Sequence, residues 1–254
     1  MPQLMQDDLQ VMPIPGQGGF QFSAVRPENL GATEYTLVTV VIDESGSVSP
    51  FKDGLLNALK SIVDACRKNP RAENLMLRVL AFNENVRELH GFIQLNDVDV
   101  PGYKEFWPSG TTALYDASFS GIGATIEYAR VLSSQDFDVN AAVYIITDGM
   151  NNRGQVQRKE IASLVDKAKM SEDLESIVTV LIGLHDEKLT GKTEAQEVVE
   201  WLNKFRVESG ITQFVDVGEA TPQKLAKLAN FVSRSISSQS QSLGSGMASQ
   251  PITF

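Results

Sequence analysis

The sequence has little of several features that mark particular classes of protein. It contains one cysteine among 254 residues, so no internal disulfide can form. Cys66 falls in an apolar helical pattern, where a thiol packs as a small hydrophobic group. No apolar run approaches the roughly 18 residues needed to span a bilayer. We therefore expect neither a disulfide-stapled domain nor a membrane-spanning protein.

Positive charge is also scarce. The chain has 22 Lys and Arg against 32 Asp and Glu, which gives a formal net charge of -10. Binding to a nucleic-acid backbone requires a concentration of positive charge, so we expect no nucleic-acid partner. Asp7 and Asp8 near the start, without a basic residue before an apolar core, do not form the pattern of a secretory signal. We expect a soluble, cytoplasmic protein with no membrane partner.

The composition that is present is typical of a globular protein. Hydrophobic residues make up 42% of the chain and charged residues 21%, enough for one large α/β domain or two small ones. Residues 1–33 are rich in Gln, Gly and Pro and have no sustained period, which predicts a flexible arm. Residues 34–236 are predicted to form the domain. Residues 237–254, rich in Ser and Gln, are predicted to form a flexible tail.

Two kinds of apolar pattern alternate along residues 34–236. Strand-like runs occur at 35–42, 75–82, 86–95, 141–147, 177–184 and 214–217. Helical periods occur at 51–66, 112–128, 155–169, 193–206 and 222–235. Such alternation implies parallel pairing, whereas the short link at 83–85 implies one antiparallel hairpin. The predicted fold class is α/β: a doubly wound, mostly parallel six-stranded sheet with one antiparallel edge strand and helices on both faces.

Polar clusters follow three of the predicted strands. The first contains Asp43, Ser45 and Ser47, the second runs from Gly110 through Thr112, and the third contains Asp148. In a doubly wound sheet, such loops meet above the carboxyl ends of the strands, near the point where the strand order reverses. Carboxylate and hydroxyl oxygens are the ligands that a small hard cation prefers. The sequence therefore predicts a cation site at this edge of the sheet.

This set of loops resembles the metal-ion-dependent adhesion site (MIDAS) of von Willebrand factor type A domains, and the resemblance covers residues 35–236. The motif carries over onto five positions: Asp43, Ser45, Ser47, Thr112 and Asp148. Thr112, not Thr111, takes the ligand position when the Leu-Tyr-Asp that follows is aligned. The resemblance implies a vWA/Rossmann-like fold, bound Mg²⁺ or Mn²⁺, and a protein partner that offers an Asp or Glu to the metal.

The predicted ligand types suit capture of a carboxylate better than catalysis. Mg²⁺ takes six oxygens in an octahedron, so neutral hydroxyls leave part of its charge uncompensated and one position open. The set includes no general base, so we expect a docking point and not an activator of water, and therefore no enzyme. Phe231 to Ser237 and the loops also look like bacterial intracellular members of tellurium-resistance and stress operons, which implies a metal-bridged adaptor in stress response or defence.

Two other functions stay open at this stage. One is a structural subunit of a phage particle or other assembly, with the arm and the tail as clasps. The other, with less support, is a metal-dependent hydrolase. The segment from Thr190 to Thr193 looks like a phosphate loop, but Asp186 stands where its leading glycine should be. We expect His90 and His185 to lie at the surface or at strand ends, and Glu44 to face solvent. The oligomeric state does not follow from the sequence.

Overall fold

The computed structural model describes residues 8–16, 18–104, 106–185, 191–242 and 253–254. Eight strands form one mixed sheet. In chain order they are β1 Leu9–Pro13, β2 Gln21–Val25, β3 Glu34–Asp43, β4 Leu75–Phe82, β5 Val86–Gln94, β6 Asp138–Thr147, β7 Ser176–His185 and β8 Gln213–Glu219. Across the sheet they run β1-β2-β5-β4-β3-β6-β7-β8. The α/β class predicted from the sequence is confirmed.

Helices cover both faces of the sheet. They are α1 Lys52–Cys66, α2 Leu114–Ser133, α3 Arg158–Met170, α4 Lys192–Glu208 and α5 Pro222–Ser242. Helices α1 and α5 pack together on one face, while α3 lies between α2 and α4 on the other. Helix α5 continues seven residues past the predicted end at 235, into the segment predicted as a tail; residues 243–252 of that tail lie outside the described residues.

The predicted count of six strands is wrong, because β1 and β2 add to the sheet. Both come from the segment predicted as an arm, and they form an antiparallel hairpin. Strand β2 joins the sheet by a short parallel pairing in which Ala24 faces Phe92. Strand β5 is antiparallel to β4, as predicted, but the hairpin covers it and it is not the edge strand.

Contacts with distant residues attach the hairpin to the sheet. The Ser23 amide donates to Glu88 Oε1 at 3.0 Å, and Arg78 Nε donates to Glu88 Oε2 at 2.6 Å. The buried Phe22 ring meets the Phe92 ring edge-on, with 6.2 Å between centroids. The two strands are only five residues long, and Pro and Gly lie in the link between them, so their periodic pattern is weak. These tertiary contacts, and not local propensity, therefore explain the hairpin.

The central strand β3 leads directly to the predicted cation site. Nine of its ten residues are buried, and it pairs in parallel with β4 on one side and β6 on the other. The chain runs outward from β3 to β4 and β5, then returns to β6 on the opposite side. The strand order therefore reverses between β3 and β6, which is where ligand sites form in open α/β sheets.

Within the described ranges, no helix combines the length and apolarity needed to cross a membrane.

Gly91 on β5 tests how the hairpin is held. A Cβ at this position would lie 1.9 Å from the Ser23 carbonyl oxygen, so Gly91→Ala must push β2 away from β5. We expect the variant to lose about 1–3 kcal/mol of unfolding free energy, the usual cost of overpacking, measured by urea denaturation. Gly31→Ala is the matched control, because no described atom lies within 4 Å of its added Cβ. Equal losses in both variants would contradict this account of the hairpin.

Candidate metal centre

Asp43, the last residue of β3, lies at the base of the site. Its side chain is fully buried. One carboxylate oxygen accepts a hydrogen bond from the Ser45 amide at 2.8 Å, and the other accepts from the Thr147 hydroxyl at 2.6 Å. These bonds fix the carboxylate between the ends of the adjacent strands β3 and β6.

Three further predicted ligands join in a chain of hydrogen bonds. The hydroxyls of Ser45 and Ser47 are 3.1 Å apart, and the Ser47 hydroxyl donates to Asp148 Oδ1 at 2.8 Å. Asp148 follows β6 directly, so this chain crosses from the first loop to the third. The parallel pairing of β3 with β6, which sets Ile42 beside Ile146, explains why residues a hundred positions apart meet here.

Thr112 reaches the same place from the second loop. Its side chain is nearly buried and lines one cleft together with Ser47 and Asp148. Its hydroxyl lies 3.8 Å from the position that a Cβ on Gly149 would take. The neighbouring Thr111 is exposed. The structure thus brings all five predicted residues to one place, with Thr112 on the cleft and Thr111 exposed.

Two asparagines that sequence reasoning gave no role hold the second and third loops together. The Thr112 amide donates to Asn152 Oδ1 at 2.8 Å, and the Asn152 amide donates back to the Thr112 carbonyl at 3.1 Å. The Tyr115 amide donates to Asn151 Oδ1 at 2.9 Å. Both asparagine oxygens therefore satisfy amides at the start of α2. The pair Asn151-Asn152, a few residues after Asp148 in the third loop, is the signal that could have indicated this, since Asn often pairs with loop and helix-end amides.

The expectation that Glu44 faces solvent is wrong. Glu44 is 5% exposed, and its carboxylate pairs with Arg87 on β5 at 2.8 Å. Its amide donates to the Phe82 carbonyl, and its carbonyl accepts from the Ser109 amide. Arg87 lies 43 residues away in sequence, so no local pattern indicates this pair. Glu44 thereby ties the first loop to the β4–β5 hairpin and to the second loop.

Among the residues that the structure describes, neither acid of the site has a cationic partner. None of the ion pairs between described residues involves Asp43 or Asp148. Burial raises the pKa of Asp43. Burial first, and then the negative charge of Asp43, raises the pKa of Asp148 to about 7. Two close carboxylates that resist ionisation, together with three hydroxyls, match the oxygen donors that a hard divalent cation uses.

The predicted ligand set contains more neutral hydroxyls than acids. In the described part of the chain, no group of three or more His, Cys, Asp and Glu side chains is placed to hold a metal ion. The predicted set relies instead on two acids and three neutral hydroxyls. His185, at the end of β7 as expected, also lines the cleft, and its Nε2 lies 3.2 Å from Asp216 Oδ1. Sequence reasoning did not place His185 near the other five residues.

Comparisons with known proteins identify the fold. Neither a protein-family model nor a curated protein matches the sequence. Among solved structures, the PilB minor pilin from Streptococcus sanguinis matches with a TM-score of 0.56 and 14% identity, over 87% of this chain and 66% of that chain. A von Willebrand factor type A protein from Catenulispora acidiphila matches with a TM-score of 0.52 and 11% identity, over 86% and 44%.

A third similar structure is proximal thread matrix protein 1 from the mussel byssus with a zinc-occupied MIDAS motif. It matches with a TM-score of 0.50 and 20% identity, over 80% of this chain and 46% of that chain. The chain thus spans no more than 66% of the length of these three structures. At these identities the comparisons show a von Willebrand factor type A-like fold.

The raised pKa of Asp148 gives a pH prediction for the metal-free protein. The folded state holds this proton up to about pH 7, whereas the ordinary value is 3.8. Between these values the folded state binds more protons than the unfolded state, so this group's contribution to the unfolding free energy falls as pH rises from about 4 to about 7. Urea denaturation in chelator should show this loss, and Asp148→Asn should lose less over the same range. An identical pH dependence in both proteins would contradict the assignment.

Thr112 and Thr111 form a matched pair for testing the ligand set. We expect Thr112→Ala to weaken Mn²⁺ affinity by about 10- to 100-fold, the loss usual when a group supporting a metal site is removed. Thr111→Ala should bind Mn²⁺ as the unmodified protein does, because this side chain is exposed. Isothermal titration calorimetry measures both affinities. Equal affinity in the two variants would remove Thr112 from the set.

Proposed function

We propose that this chain is a divalent-cation-dependent protein-interaction module. Mg²⁺ or Mn²⁺ would be held by Asp43, Ser45, Ser47, Thr112 and Asp148, and an Asp or Glu from a partner protein would complete its coordination. The observation that carries the proposal is the convergence of two carboxylates, unpaired with any described cation, and three hydroxyls where the strand order reverses. A bound divalent cation would supply the missing positive charge and an open position for a carboxylate.

Each residue has a distinct part in this proposal. Asp43 is held by two hydrogen bonds and would present a fixed negative charge to the cation from the end of β3. Asp148, less deeply buried, would provide the second charge at the cleft. The hydroxyls of Ser45, Ser47 and Thr112 would add neutral oxygens. Because the other three donors are neutral and leave one position of the octahedron open, an incoming carboxylate would bind the cation directly at that position.

The similar structures support this proposal at the level of the fold. One of them is described with zinc in a MIDAS motif, and others are a pilin and a von Willebrand factor type A protein. The proposal also includes an adaptor role in a bacterial stress or defence system, which rests on the sequence resemblance alone. A cytoplasmic location and the absence of enzyme activity are further parts of it, and both rest on the sequence.

A peptide array tests whether a carboxylate is recognised through a cation. Each Asp- or Glu-containing peptide is paired with its Asn or Gln counterpart, and the protein is applied with Mg²⁺ or with chelator. We expect binding to acidic peptides only, lost in chelator and in Asp148→Asn, since a neutral amide oxygen binds a divalent cation far more weakly than a charged carboxylate does. Asp148→Asn is used because burying Asn at position 43 would disturb two hydrogen bonds. Binding that survives chelator, or that ignores the acid, would contradict the proposal.

A structural subunit of an assembly is the second candidate. Strand β1 is one of the two edge strands of the sheet, and its Val11 is 69% exposed. Edge strands can pair with a strand of another chain. Negative-stain microscopy at high protein concentration tests this candidate, and monomers alone would count against it.

For the least supported candidate, a metal-dependent hydrolase, the required result is turnover of a phosphate ester that disappears in Asp148→Ala.

A further inference from the structure

An apolar cleft opens beside the candidate metal centre. Its volume is about 390 Å³. Ser47, Thr112 and Asp148 lie along it, and apolar side chains from three separate segments also line it: Phe51, Met150 and Val198. Phe51 ends the turn before α1, Met150 belongs to the third loop, and Val198 lies on α4. The cleft therefore joins cation ligands to an apolar wall that sequence reasoning did not predict.

The apolar wall is built to accept a side chain. Val198 and Ala195 are three residues apart on α4, so they share one face of the helix. Val198 and Met150 are only partly buried, which leaves apolar surface open in the cleft. A volume of 390 Å³ lies within the range of pockets that bind small ligands, so a large apolar side chain fits.

The charges of the cleft restrict what can bind. Of the described residues that line it, none is Lys or Arg, and Glu194 adds a negative charge besides Asp148. Among these described lining groups there is thus no positive charge, and a bound cation would be what attracts a carboxylate. A second acidic side chain next to it would face Glu194 and be repelled, whereas an apolar neighbour would bury surface against Val198 and Met150.

From these features we propose that the partner presents an acidic residue beside a large apolar residue such as Leu or Phe. The carboxylate completes the coordination of the cation, and the apolar side chain enters the cleft against Val198 and Met150. This inference rests on the proposed function, which supplies the cation and its partner carboxylate. The inference adds a second contact, between the cleft and an apolar side chain of the partner. Through this contact the cleft selects among acidic segments that the cation alone would not distinguish.

The experiment uses short synthetic peptides with one fixed Glu whose neighbour is Leu, Phe, Ala or Glu. Binding is measured by fluorescence anisotropy in Mg²⁺ and in chelator. We expect Leu and Phe peptides to bind about tenfold more tightly than the Ala peptide, because burying such a side chain stabilises a complex by roughly that factor or more. The Glu-Glu peptide should bind less tightly than the Ala peptide.

Two valines on α4 provide matched variants. Val198→Lys places a charge in the apolar wall and should reduce the preference for Leu and Phe over Ala to about twofold or less. Val207→Lys makes the same change at a position that is 61% exposed and does not line the cleft, so the preference should persist. Met150→Ala is a second cleft variant that should weaken the preference. Unchanged Mn²⁺ affinity in each variant shows that the metal centre is intact.

The outcomes separate this inference from the proposed function. A preference for apolar neighbours that Val198→Lys removes and Val207→Lys keeps supports the inference. Cation-dependent binding of all the Glu peptides with equal affinity overturns it and leaves the proposed function standing, as does a preference that both lysine variants keep. Failure of every Glu peptide to bind in a cation-dependent way overturns the proposed function and the inference together.

Discussion

The burial of the Asp43 carboxylate is the constraint on which the rest of the site depends. A carboxylate at the end of a fully covered central strand loses its hydration, and two hydrogen bonds from Ser45 and Thr147 offset only part of that cost. With Asp148 close by, a second negative charge adds repulsion. A divalent cation would remove both penalties at once, so the electrostatics of the metal-free fold and the proposed function have a single cause.

The topology of the sheet makes this arrangement rigid. Parallel pairing of β3 with β6 aligns two strand ends, and the loops that follow them bond to each other and to the second loop. The Glu44–Arg87 pair and the Thr112–Asn152 pair link these loops from opposite sides. Ligands supported by such surrounding bonds keep their positions, which metal sites require.

The candidate metal centre and the apolar cleft share residues of the first and third loops, and α4 adds Ala195 and Val198 to the cleft. In the proposed function they have different parts. The centre offers charge but little selectivity, because any accessible carboxylate satisfies a cation. The cleft offers shape and apolar surface, which distinguish one acidic segment from another. Their contact depends on α4 packing beside α3 and next to the ends of β7 and β8. Under the proposed function, the combination would let the module select its partner.

Long periodic runs made the central six strands and the helices predictable, with ends wrong by a few residues. The meeting of the first and third loops was predictable too, because Asp43, Ser45, Ser47 and Asp148 lie at or just after the ends of apolar strands, whereas Thr112 lies far beyond the end of β5. The hairpin of β1 and β2 was not, because Phe22 and Ser23 are held by residues far along the chain. Glu44 was misplaced for the same reason, since its partner Arg87 belongs to another hairpin.

By itself, then, the sequence determined the fold class and the chemistry of the candidate site, because strand periodicity and the order of ligand motifs are local properties of the chain. Only the tertiary structure decided three features: the eight-stranded sheet, the Glu44–Arg87 and Thr112–Asn152 pairs that hold the loops, and the cleft lined by His185 and Val198. Each of these depends on packing between residues distant in sequence. The position of Asp43 at the end of an apolar strand is evident from the sequence, whereas the contacts around its carboxylate form only in the folded chain.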